Sequence, residues 1–385
     1  MGCGSKCEGC SLEVIGKGFT EVEVGARYSS GNLLLVGEAS GDAEAHESLP
    51  FRPYAQSGSL LADALRTVGI GRGDVAITNV VRCRPPRDWL EGAPYASNAI
   101  YNCSVRYLAE VIHGLRPACI LALGGTAFRT LASIPKGKYG SLDYQRGYVV
   151  PGAGVAEGRL VIGTYHPAFM RRGNPHLTPL LQRDLRRAWL VAQGKLVEGL
   201  HFATNPGTLG LKYQTEPSLA EAWEFVKSID PALPLAYDIE TPQSTRGDED
   251  ERTSFTDRDI KLIQFTQQRG AGIALPFRDE FVDVAVSALA GARVKVGFNN
   301  WCFDDPVLAA NGIDCGETHD AMILYHFYWS DLPKNLQSAA QMCGFQFPWK
   351  HLGETDLELY GCVDVDSTLC VFEHMKKVLE GEAIG

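Results

Sequence analysis

One stretch without regular periodicity divides this chain into two parts. Residues 201–217, HFATNPGTLGLKYQTEP, are rich in Gly, Pro and Thr, residue types that interrupt helices and strands. At 385 residues, the chain is too long for one ordinary core, and two domains are the default expectation. The sequence therefore predicts a first domain over residues 1–195, a linker over 196–216 and a second domain over 217–385.

Both parts alternate short apolar runs with helical patterns. The first contains the strand-like runs LLLVGEA, DVAITNVV, CILALGG and LVIGTYH with helical patterns between them, which predicts a parallel sheet in a three-layer α/β/α domain. The second begins with three strand-like runs in succession, PLAYDIE, IKLIQFTQ and GAGIALPF, followed by VKVGFNN and further helical patterns. This order predicts a second α/β domain with a leading antiparallel meander.

The net charge of −10 hides a difference between the two parts. Residues 1–210 carry 22 Lys and Arg against 17 Asp and Glu, a balance of +5, and the remainder carries 14 against 29, a balance of −15. A basic part can attract phosphates, whereas an acidic part that acts on nucleic acid needs divalent metal to mediate the contact. Ordinary solvated surfaces would give the same balances, so charge alone leaves both interpretations open.

No feature of the sequence indicates a membrane protein or an exported one. No apolar run approaches the roughly 20 residues of a membrane span. The N-terminus MGCGSKCEGCSLEV has no apolar signal-peptide core. We expect a cytoplasmic, monomeric protein without membrane association, in which the 11 cysteines do not form a disulfide framework.

Four cysteines of the first part are spaced like metal ligands. Cys7-x-x-Cys10 places two thiolates on one tight turn, Cys83 follows a strand-like run, and Cys103 opens a helical pattern. Four thiolates from separated segments suit a tetrahedral zinc ion or a [4Fe–4S] cluster. The residues themselves do not decide between the two.

Three further segments give the first part a family resemblance. Together with the four cysteines, 37-GEASGDAE-44, 78-TNVVRCRPP-86 and 164-TYHPAFMRR-172 resemble the iron–sulfur (family 4) uracil-DNA glycosylases over about residues 5–190. The resemblance implies a uracil-DNA glycosylase-like fold, hydrolytic excision of uracil from DNA, and a [4Fe–4S] cluster held by the cysteines.

The resemblance also assigns roles to individual residues. Asn79 would bind the uracil edge, Tyr54 would stack on the base, and His166 would donate a hydrogen bond to the uracil oxygen that gains negative charge. Glu38 and Glu44 are both candidates for positioning the attacking water and stabilising the sugar cation, with Glu44 preferred. Backbone amides would approach the base or phosphate at Gly37, Ala39 and Gly41. In the run 168-AFMRR-172, apolar side chains including Met170 would fill the hole left by the flipped base, and Arg171 and Arg172 would hold flanking phosphates.

Two residues depart from the family pattern. Ser40 stands where the family usually has Pro, and Ala45 where it has a second acid. We expect both in the pocket wall, where they would leave uracil excision in place or produce a domain that binds uracil without cutting.

The second part carries an ordered set of acidic residues. Asp238 and Glu240 lie one residue apart on a strand and so share a face. Asp304 starts a helical pattern, and Tyr360 lies one helical turn before Asp364. These motifs resemble the DEDD 3′–5′ exonucleases with a Tyr before the last Asp, similar to the proofreading domain of family A DNA polymerases, over about residues 215–380.

This second resemblance implies a ribonuclease H-like fold and metal-dependent hydrolysis of DNA from 3′ ends. The four carboxylates would hold two Mg²⁺ or Mn²⁺ ions, Tyr360 would orient the nucleophilic water, and Asn300 would steady the terminal nucleotide or the local backbone. Asp305 and Asp366 are expected to be solvated acids, and Asp320 a structural one.

Taken together, the two resemblances imply a bifunctional enzyme of DNA repair or replication. We expect either a phage-like stand-alone protein or the N-terminal part of a family A DNA polymerase, acting with a polymerase or other replication proteins. The alternative is a uracil-sensing module that does not cut, attached to an active exonuclease.

The cysteine set generates a direct prediction. A [4Fe–4S] cluster would make the purified protein brown with broad visible absorption, and Cys103→Ala would lose the colour. A colourless protein with one zinc ion per chain would contradict the cluster.

Overall fold

A computed structural model describes residues 7–29, 32–134, 137–195, 211–242 and 259–381. The chain forms two compact units, with the division near residue 205. The larger part of the predicted linker lies outside the described residues. Among the described residues, no helix is both long and apolar enough to cross a bilayer.

The first unit is built on a six-stranded sheet with a parallel centre. Its strands are β1 (Glu23–Val24), β2 (Leu33–Ala39), β3 (Ala76–Val81), β4 (Cys119–Leu123), β5 (Val149–Pro151) and β6 (Leu160–Thr164), in the order β1-β3-β2-β4-β6-β5. The strands β3, β2, β4 and β6 are parallel, and the two short edge strands are antiparallel to their neighbours. The four central strands coincide with the four strand-like runs of the sequence.

Helices cover both faces of this sheet. They are α1 (Asp42–Glu47), α2 (Gln56–Thr67), α3 (Ala96–Cys103), α4 (Ala109–Leu115), α5 (Gly125–Leu131), α6 (Leu142–Gln145), α7 (Pro167–Arg171) and α8 (Thr178–Ala192). Side chains alternate along each strand, so Leu34 and Val36 join the core that contains Phe128 of α5, while Leu33 and Leu35 are buried on the opposite face. The predicted three-layer α/β/α class is confirmed.

The second unit has a mixed six-stranded sheet. Its strands are β7 (Lys212–Gln214), β8 (Pro234–Glu240), β9 (Leu262–Thr266), β10 (Ala271–Pro276), β11 (Val294–Gly297) and β12 (His319–Asp320), in the order β12-β11-β8-β9-β10-β7. The strands β8, β9 and β10 form the predicted antiparallel meander, and β11 adds in parallel to β8. This arrangement is that of a ribonuclease H-like sheet, as predicted.

In the described part of the second unit, six helices accompany the sheet. They are α9 (Leu219–Ser228), α10 (Glu280–Gly291), α11 (Asp304–Ala310), α12 (Ala321–Tyr328), α13 (Leu336–Met342) and α14 (Leu357–Leu379). The long helix α14 crosses the strands β8, β9 and β10. Asp366 of α14 is buried, and its carboxylate accepts hydrogen bonds from Tyr213, Arg269 and the amide of Gly270. Asp366 is therefore an internal tie between α14 and the sheet edge, and the prediction that it is solvated is wrong.

A buried ion cluster joins α8 to the loop before β5. Arg146 Nη1 lies 3.0 Å from Asp184 Oδ2, and Arg183 Nη1 lies 3.2 Å from Asp184 Oδ1. Asp184 is fully buried and Arg146 is almost so. Buried charges of this kind are tolerated only while their partners are present.

We expect Asp184→Ala to lower the free energy of unfolding by about 3–5 kcal/mol, because it leaves buried guanidinium groups without their carboxylate. Urea denaturation measures the change. The matched control is Asp63→Ala, which removes an exposed carboxylate 2.8 Å from Arg66 on α2 and is expected to cost about 1 kcal/mol or less. Equal effects of the two substitutions would contradict the prediction.

Candidate active sites

The first candidate site forms where β2 and β3 end. Gly37 of β2 is the register partner of Asn79 of β3. Asn79 is 1% exposed, and within the described part of the chain neither polar atom of its carboxamide has a hydrogen-bond partner. A buried polar group without a partner is costly and needs an explanation. A ligand with both a donor and an acceptor would satisfy this carboxamide.

Backbone and aromatic groups surround the carboxamide closely. A Cβ atom on residue 37 would lie 2.3 Å from Asn79 Oδ1 and 2.6 Å from the ring of Phe51, so only glycine fits. The ring centroid of Phe51 lies 5.5 Å from that of His166. A carboxamide, a phenyl ring and an imidazole therefore converge at the carboxyl ends of the strands, where α/β sheets bind ligands.

Phe51 replaces Tyr54 as the aromatic ring of this site. Tyr54 is 63% exposed, and its hydroxyl donates to Glu47. Phe51 is buried and has a left-handed backbone with φ of 47°, a conformation rare outside glycine, Asn and Asp. The position assigned to Tyr54 by resemblance is therefore wrong, because the loop turns the earlier of the two rings inward.

Glu44 is engaged with the backbone at both carboxylate oxygens. Oε2 accepts from the amide of Gly41 at 2.6 Å, and Oε1 accepts from the amide of Phe51. Burial raises the pKa of Glu44, and these two amide bonds oppose the rise. The carboxylate thus holds the left-handed Phe51 and the turn at Gly41 together. Because both of its oxygens already accept from backbone amides, it is the less available of the two candidate acids.

Glu38 is the other candidate, at the end of β2. Its side chain is half-buried, and burial raises the pKa of its carboxyl, while Thr126, Arg129 and Arg172 lower it. A carboxylate with a raised pKa is a stronger base than one in water. Both candidates therefore have a raised pKa, and they differ in that two backbone amides already donate to the carboxylate of Glu44.

His166 is held as a neutral donor. It precedes α7, and its Nδ1 accepts from the amide of Ala168 at 3.1 Å. This bond requires an unprotonated Nδ1, which leaves the proton on Nε2. Burial lowers the pKa of His166 to about 4, with a further contribution from Arg172. The imidazole therefore stays neutral through the physiological range.

The predicted DNA-wedging run after His166 exposes one of its two large apolar side chains and buries the other. Met170 is completely buried, whereas Phe169 is 40% exposed. Arg171 and Arg172 are exposed beside it. Met170 therefore packs into the core, and the prediction that it wedges DNA is wrong.

The four cysteines lie in one neighbourhood. Cys7, Cys83 and Cys103 are buried in the same core cluster, and Cys10 packs against it. The hydroxyl of Tyr107 lies 3.6 Å from Cys7 Sγ. The backbone amide of Ser11 donates a hydrogen bond to Asn98 Oδ1 at 2.7 Å. Cys103 is the last residue of α3 and does not open a helix, contrary to the prediction. A π-helical turn over Ser104–Leu108 follows it directly. Buried thiols from three segments fit the ligand set of an enclosed cluster.

The two departures from the family pattern contact the segment around Gly18 and Thr20. The hydroxyl of Ser40 lies 2.8 Å from Thr20 Oγ1 and donates to the carbonyl of Arg82 at 2.7 Å. Ala45 packs against Gly18, where a Cβ atom would lie only 2.6 Å from that of Ala45. Both residues fasten the segment that follows the first two cysteines, and the expectation that they shape the pocket wall stays a prediction.

The second candidate site gathers the predicted carboxylates. Oxygen atoms of Asp238, Glu240 and Asp364 lie within 4.8 Å of one another. Asp304 starts α11 and is buried, and its Oδ1 accepts from the amide of Ile239 at 3.1 Å. The spacing of hard oxygen ligands fits a divalent cation.

The electrostatics of these acids indicate a site with an excess of negative charge. Burial and the carboxylates of Asp304, Glu240 and Asp364 raise the pKa of Asp238 well above its usual value. Burial and Asp364 raise the pKa of Glu240 to about 8, and burial raises that of Asp304 to about 7. Like charges crowded in this way repel unless cations join them.

An open cavity of about 340 Å³ adjoins the acids. It is lined by Asp238, Phe298, Asn299, Met322, Lys334, Asn335, Leu336, Lys350 and Asp364. The hydroxyl of Tyr360 accepts from Nζ of Lys350, one of the residues that line this cavity. Lys350 and the adjoining Trp349 carry no sequence signal that places them at this site, because neither belongs to the acidic motifs.

Asn300 does not face the cavity. It is completely buried, and its Nδ2 donates to Tyr237, Asp305 and Thr318. Of the two predicted roles of Asn300, this burial fits the local structural one and does not fit contact with a terminal nucleotide. Asp305 belongs to the same internal network and is not a solvated acid, whereas Asp320 caps α12 as the predicted structural acid.

Comparison with known proteins adds a family to the first unit. A family model described as the uracil DNA glycosylase superfamily matches residues 27–190. The type-4 uracil-DNA glycosylase of Thermotoga maritima is 34% identical over 184 residues, which cover 48% of this chain and 88% of that protein. The type-4 enzyme of Pyrobaculum aerophilum is 34% identical over 185 residues, 46% of this chain and 86% of that protein.

Solved nuclease structures show only distant similarity. The Nibbler EXO domain of Aedes aegypti matches with a TM-score of 0.34 and 11% identity, covering 44% of this chain and 88% of that one. RNase D of Escherichia coli matches with a TM-score of 0.28 and 19% identity, covering 45% of this chain and 46% of that one. Similarity at this level carries no argument about function.

The crowded acids predict how stability depends on pH. Glu240 has a pKa of about 8 in the folded protein against 4.5 otherwise, so its contribution is full below about pH 4.5 and is lost as the pH rises through about 8. Asp238→Asn removes a neighbouring charge. In EDTA, we expect the free energy of unfolding to fall between about pH 5 and pH 8. This fall should be about 1–3 kcal/mol smaller in Asp238→Asn than in the unsubstituted protein.

Urea denaturation at the two pH values measures this difference. Asp283→Asn, at an exposed acid of α10, is the control and should leave the pH dependence unchanged. A loss as steep in Asp238→Asn as in the unsubstituted protein would contradict the electrostatic interpretation.

Proposed function

Because the chain belongs to the uracil DNA glycosylase superfamily, we propose that its first unit removes uracil from DNA by hydrolysing the bond between base and deoxyribose. The observation that carries the proposal is the buried carboxamide of Asn79, which has no partner among the described residues. Uracil offers an N–H donor beside a carbonyl acceptor, and the carboxamide can bond to both. Cytosine offers a different pattern on the same edge, so this contact would select the base.

The surrounding residues supply the other requirements of excision. Phe51 would stack on the flipped base. His166 would donate its Nε2 proton to the uracil oxygen that gains negative charge as the bond breaks. Because the imidazole is neutral, it donates a hydrogen bond without placing a full positive charge beside the uracil oxygen. Glu38 would accept a proton from the attacking water, while Glu44 keeps Phe51 and Gly41 in place.

The remaining parts of the first unit would engage DNA and stabilise the fold. Phe169 would fill the space left by the flipped nucleotide, with Arg171 and Arg172 on flanking phosphates. Cys7, Cys10, Cys83 and Cys103 would hold a [4Fe–4S] cluster, which would tie the N-terminal segment to α3. Ala39 and Gly41 lie at the strand end where backbone groups can approach the base.

We propose that the second unit hydrolyses DNA from its 3′ end with divalent metal. Asp238, Glu240, Asp304 and Asp364 would hold two Mg²⁺ or Mn²⁺ ions, which when bound would supply Lewis-acid chemistry for phosphodiester hydrolysis. Tyr360 would orient the attacking water through its hydroxyl. The support is the carboxylate cluster beside an open cavity. An enzyme with both activities would act in DNA repair or replication, alongside a DNA polymerase.

Uracil excision is tested on a 5′-labelled single-stranded oligonucleotide with one internal uracil, in EDTA, followed by alkali. We expect cleavage at the uracil, reduced about 10²–10³-fold in His166→Ala because a donor to the developing charge is lost. Phe51→Ala should cost about 1–3 kcal/mol of stacking, and Tyr54→Ala much less. Uracil-dependent binding without cleavage would contradict the proposal and favour the sensing module.

Exonuclease activity is tested on a uracil-free oligonucleotide with Mg²⁺. We expect a ladder of 3′ shortening that EDTA abolishes and that Asp238→Asn reduces about 10³-fold or more, because several kcal/mol of metal-dependent stabilisation are lost. The same variant should retain uracil excision in EDTA, which separates the two sites. Shortening from the 5′ end or internal cutting would contradict the proposal.

A further inference from the structure

Lys350 places an ammonium group among the acids of the second site. Its Nζ lies 3.0 Å from each oxygen of Asp364 and 2.6 Å from the hydroxyl of Tyr360. The side chain is 21% exposed and lines the open cavity. The ammonium therefore contacts the carboxylate that lies within 4.8 Å of Asp238 and Glu240.

The neighbouring residue fixes this arrangement. Trp349 is completely buried, and its indole N–H donates to Asp364 Oδ1. The Lys350 Nζ lies 5.1 Å from the centroid of the Trp349 ring and 4.6 Å from that of Tyr360. Two aromatic rings thus flank the ammonium, an environment that favours a cation. The position of Lys350 is built by packing and is not an accident of a mobile surface chain.

The contact has a cost for metal binding. Both oxygens of Asp364 are hydrogen-bonded to the ammonium, so a cation that takes Asp364 as a ligand must displace at least one of these bonds. The positive charge of Lys350 also acts on Asp238 and Glu240, where it favours the ionised form. Lys350 and a divalent cation therefore compete for the same negative charge.

We propose that Lys350 is an internal counter-ion that competes with divalent metal for Asp364 and exchanges this partner for a substrate phosphate when DNA binds. The inference rests on the proposed nuclease function of the second unit. Its contact with Tyr360 keeps the displaced ammonium at the cavity, where a DNA phosphate would meet it. Phosphate removes the competitor from Asp364, so DNA and metal should strengthen each other's binding.

The exchange gives Lys350 a positioning role with two consequences. In the absence of DNA, the ammonium lowers the affinity for metal and compensates the buried acids. In the presence of DNA, it carries positive charge to the phosphate beside the Tyr360 hydroxyl. A purely structural lysine would produce neither effect, because its removal would leave the carboxylates displaced and metal binding weaker or unchanged.

The test measures Mn²⁺ binding to the full chain by calorimetry, with and without a single-stranded oligonucleotide whose phosphorothioate linkages resist hydrolysis. Lys350→Met should raise the affinity of the DNA-free protein for Mn²⁺ about tenfold, and the oligonucleotide should then no longer increase it. In the unsubstituted protein, the oligonucleotide should increase Mn²⁺ affinity about tenfold. Lys350→Gln, which keeps a polar group beside Tyr360, should behave in the same way and guards against a folding defect in the first variant.

Lys261→Met is the matched control. Lys261 is exposed, and its charge also acts on Glu240, so the variant removes the same charge without touching the contact to Asp364. It should change Mn²⁺ affinity less than about twofold, because exposed charges are screened. Lower or unchanged Mn²⁺ affinity in both folded Lys350 variants would overturn the inference.

Asp364→Asn separates this result from a failure of the proposed function. Mn²⁺ binding that is lost in Asp364→Asn establishes the metal site, and the Lys350 variants then decide the inference. If the unsubstituted protein shows no Mn²⁺ binding that depends on Asp364, the metal-dependent nuclease proposal fails, and the inference fails with it.

Discussion

Pairing between neighbouring strands is the constraint on which both candidate sites depend. In the first unit, the parallel register of β2 and β3 sets Gly37 opposite Asn79, and the absence of a side chain at Gly37 makes room for the carboxamide and for Phe51. In the second unit, the pairing of β8 with β9 on one side and β11 on the other fixes Asp238 and Glu240 in the middle of the sheet. A one-residue slip of either strand would turn these side chains to the other face.

Each site retains groups that are unfavourable in the folded protein. The first has a buried carboxamide without a partner among the described residues, together with an aromatic residue in a left-handed conformation. The second crowds carboxylates whose pKa values burial has raised. Such groups persist only where the surrounding structure over-determines them. Here Glu44 holds the loop of Phe51, and Trp349 and Lys350 hold Asp364.

The two sites solve opposite electrostatic problems. Excision of a base develops negative charge on the leaving group, and the first unit offers a neutral histidine donor in a part of the chain with a positive balance. Hydrolysis of a phosphodiester, as proposed for the second unit, would bring an anion to an acidic centre that needs cations first. Under the two proposed functions, the charge asymmetry of the sequence would correspond to two chemistries, with Lys350 adding positive charge to the second.

The sequence by itself determined the two α/β patterns, the central strands of each sheet, the leading antiparallel meander of the second and the positions of the acidic and cysteine motifs. These features are encoded by local periodicity and by residues close together in the chain. The edge strands β1, β5, β7 and β12 were not predicted, because runs of two or three residues carry no periodicity and form only where a neighbour supplies hydrogen bonds.

Only the tertiary structure decided which side chains of a motif face the site. It placed Phe51 inside and Tyr54 outside, buried Met170 and Asn300, bound Glu44 to the backbone, and brought Lys350 to Asp364. Each of these outcomes depends on a hydrogen bond or a packing contact between segments that are not adjacent in the chain. The spacing of residues along a sequence specifies which groups can meet on one strand or helix, but contacts between separate elements determine which of them are left available for chemistry.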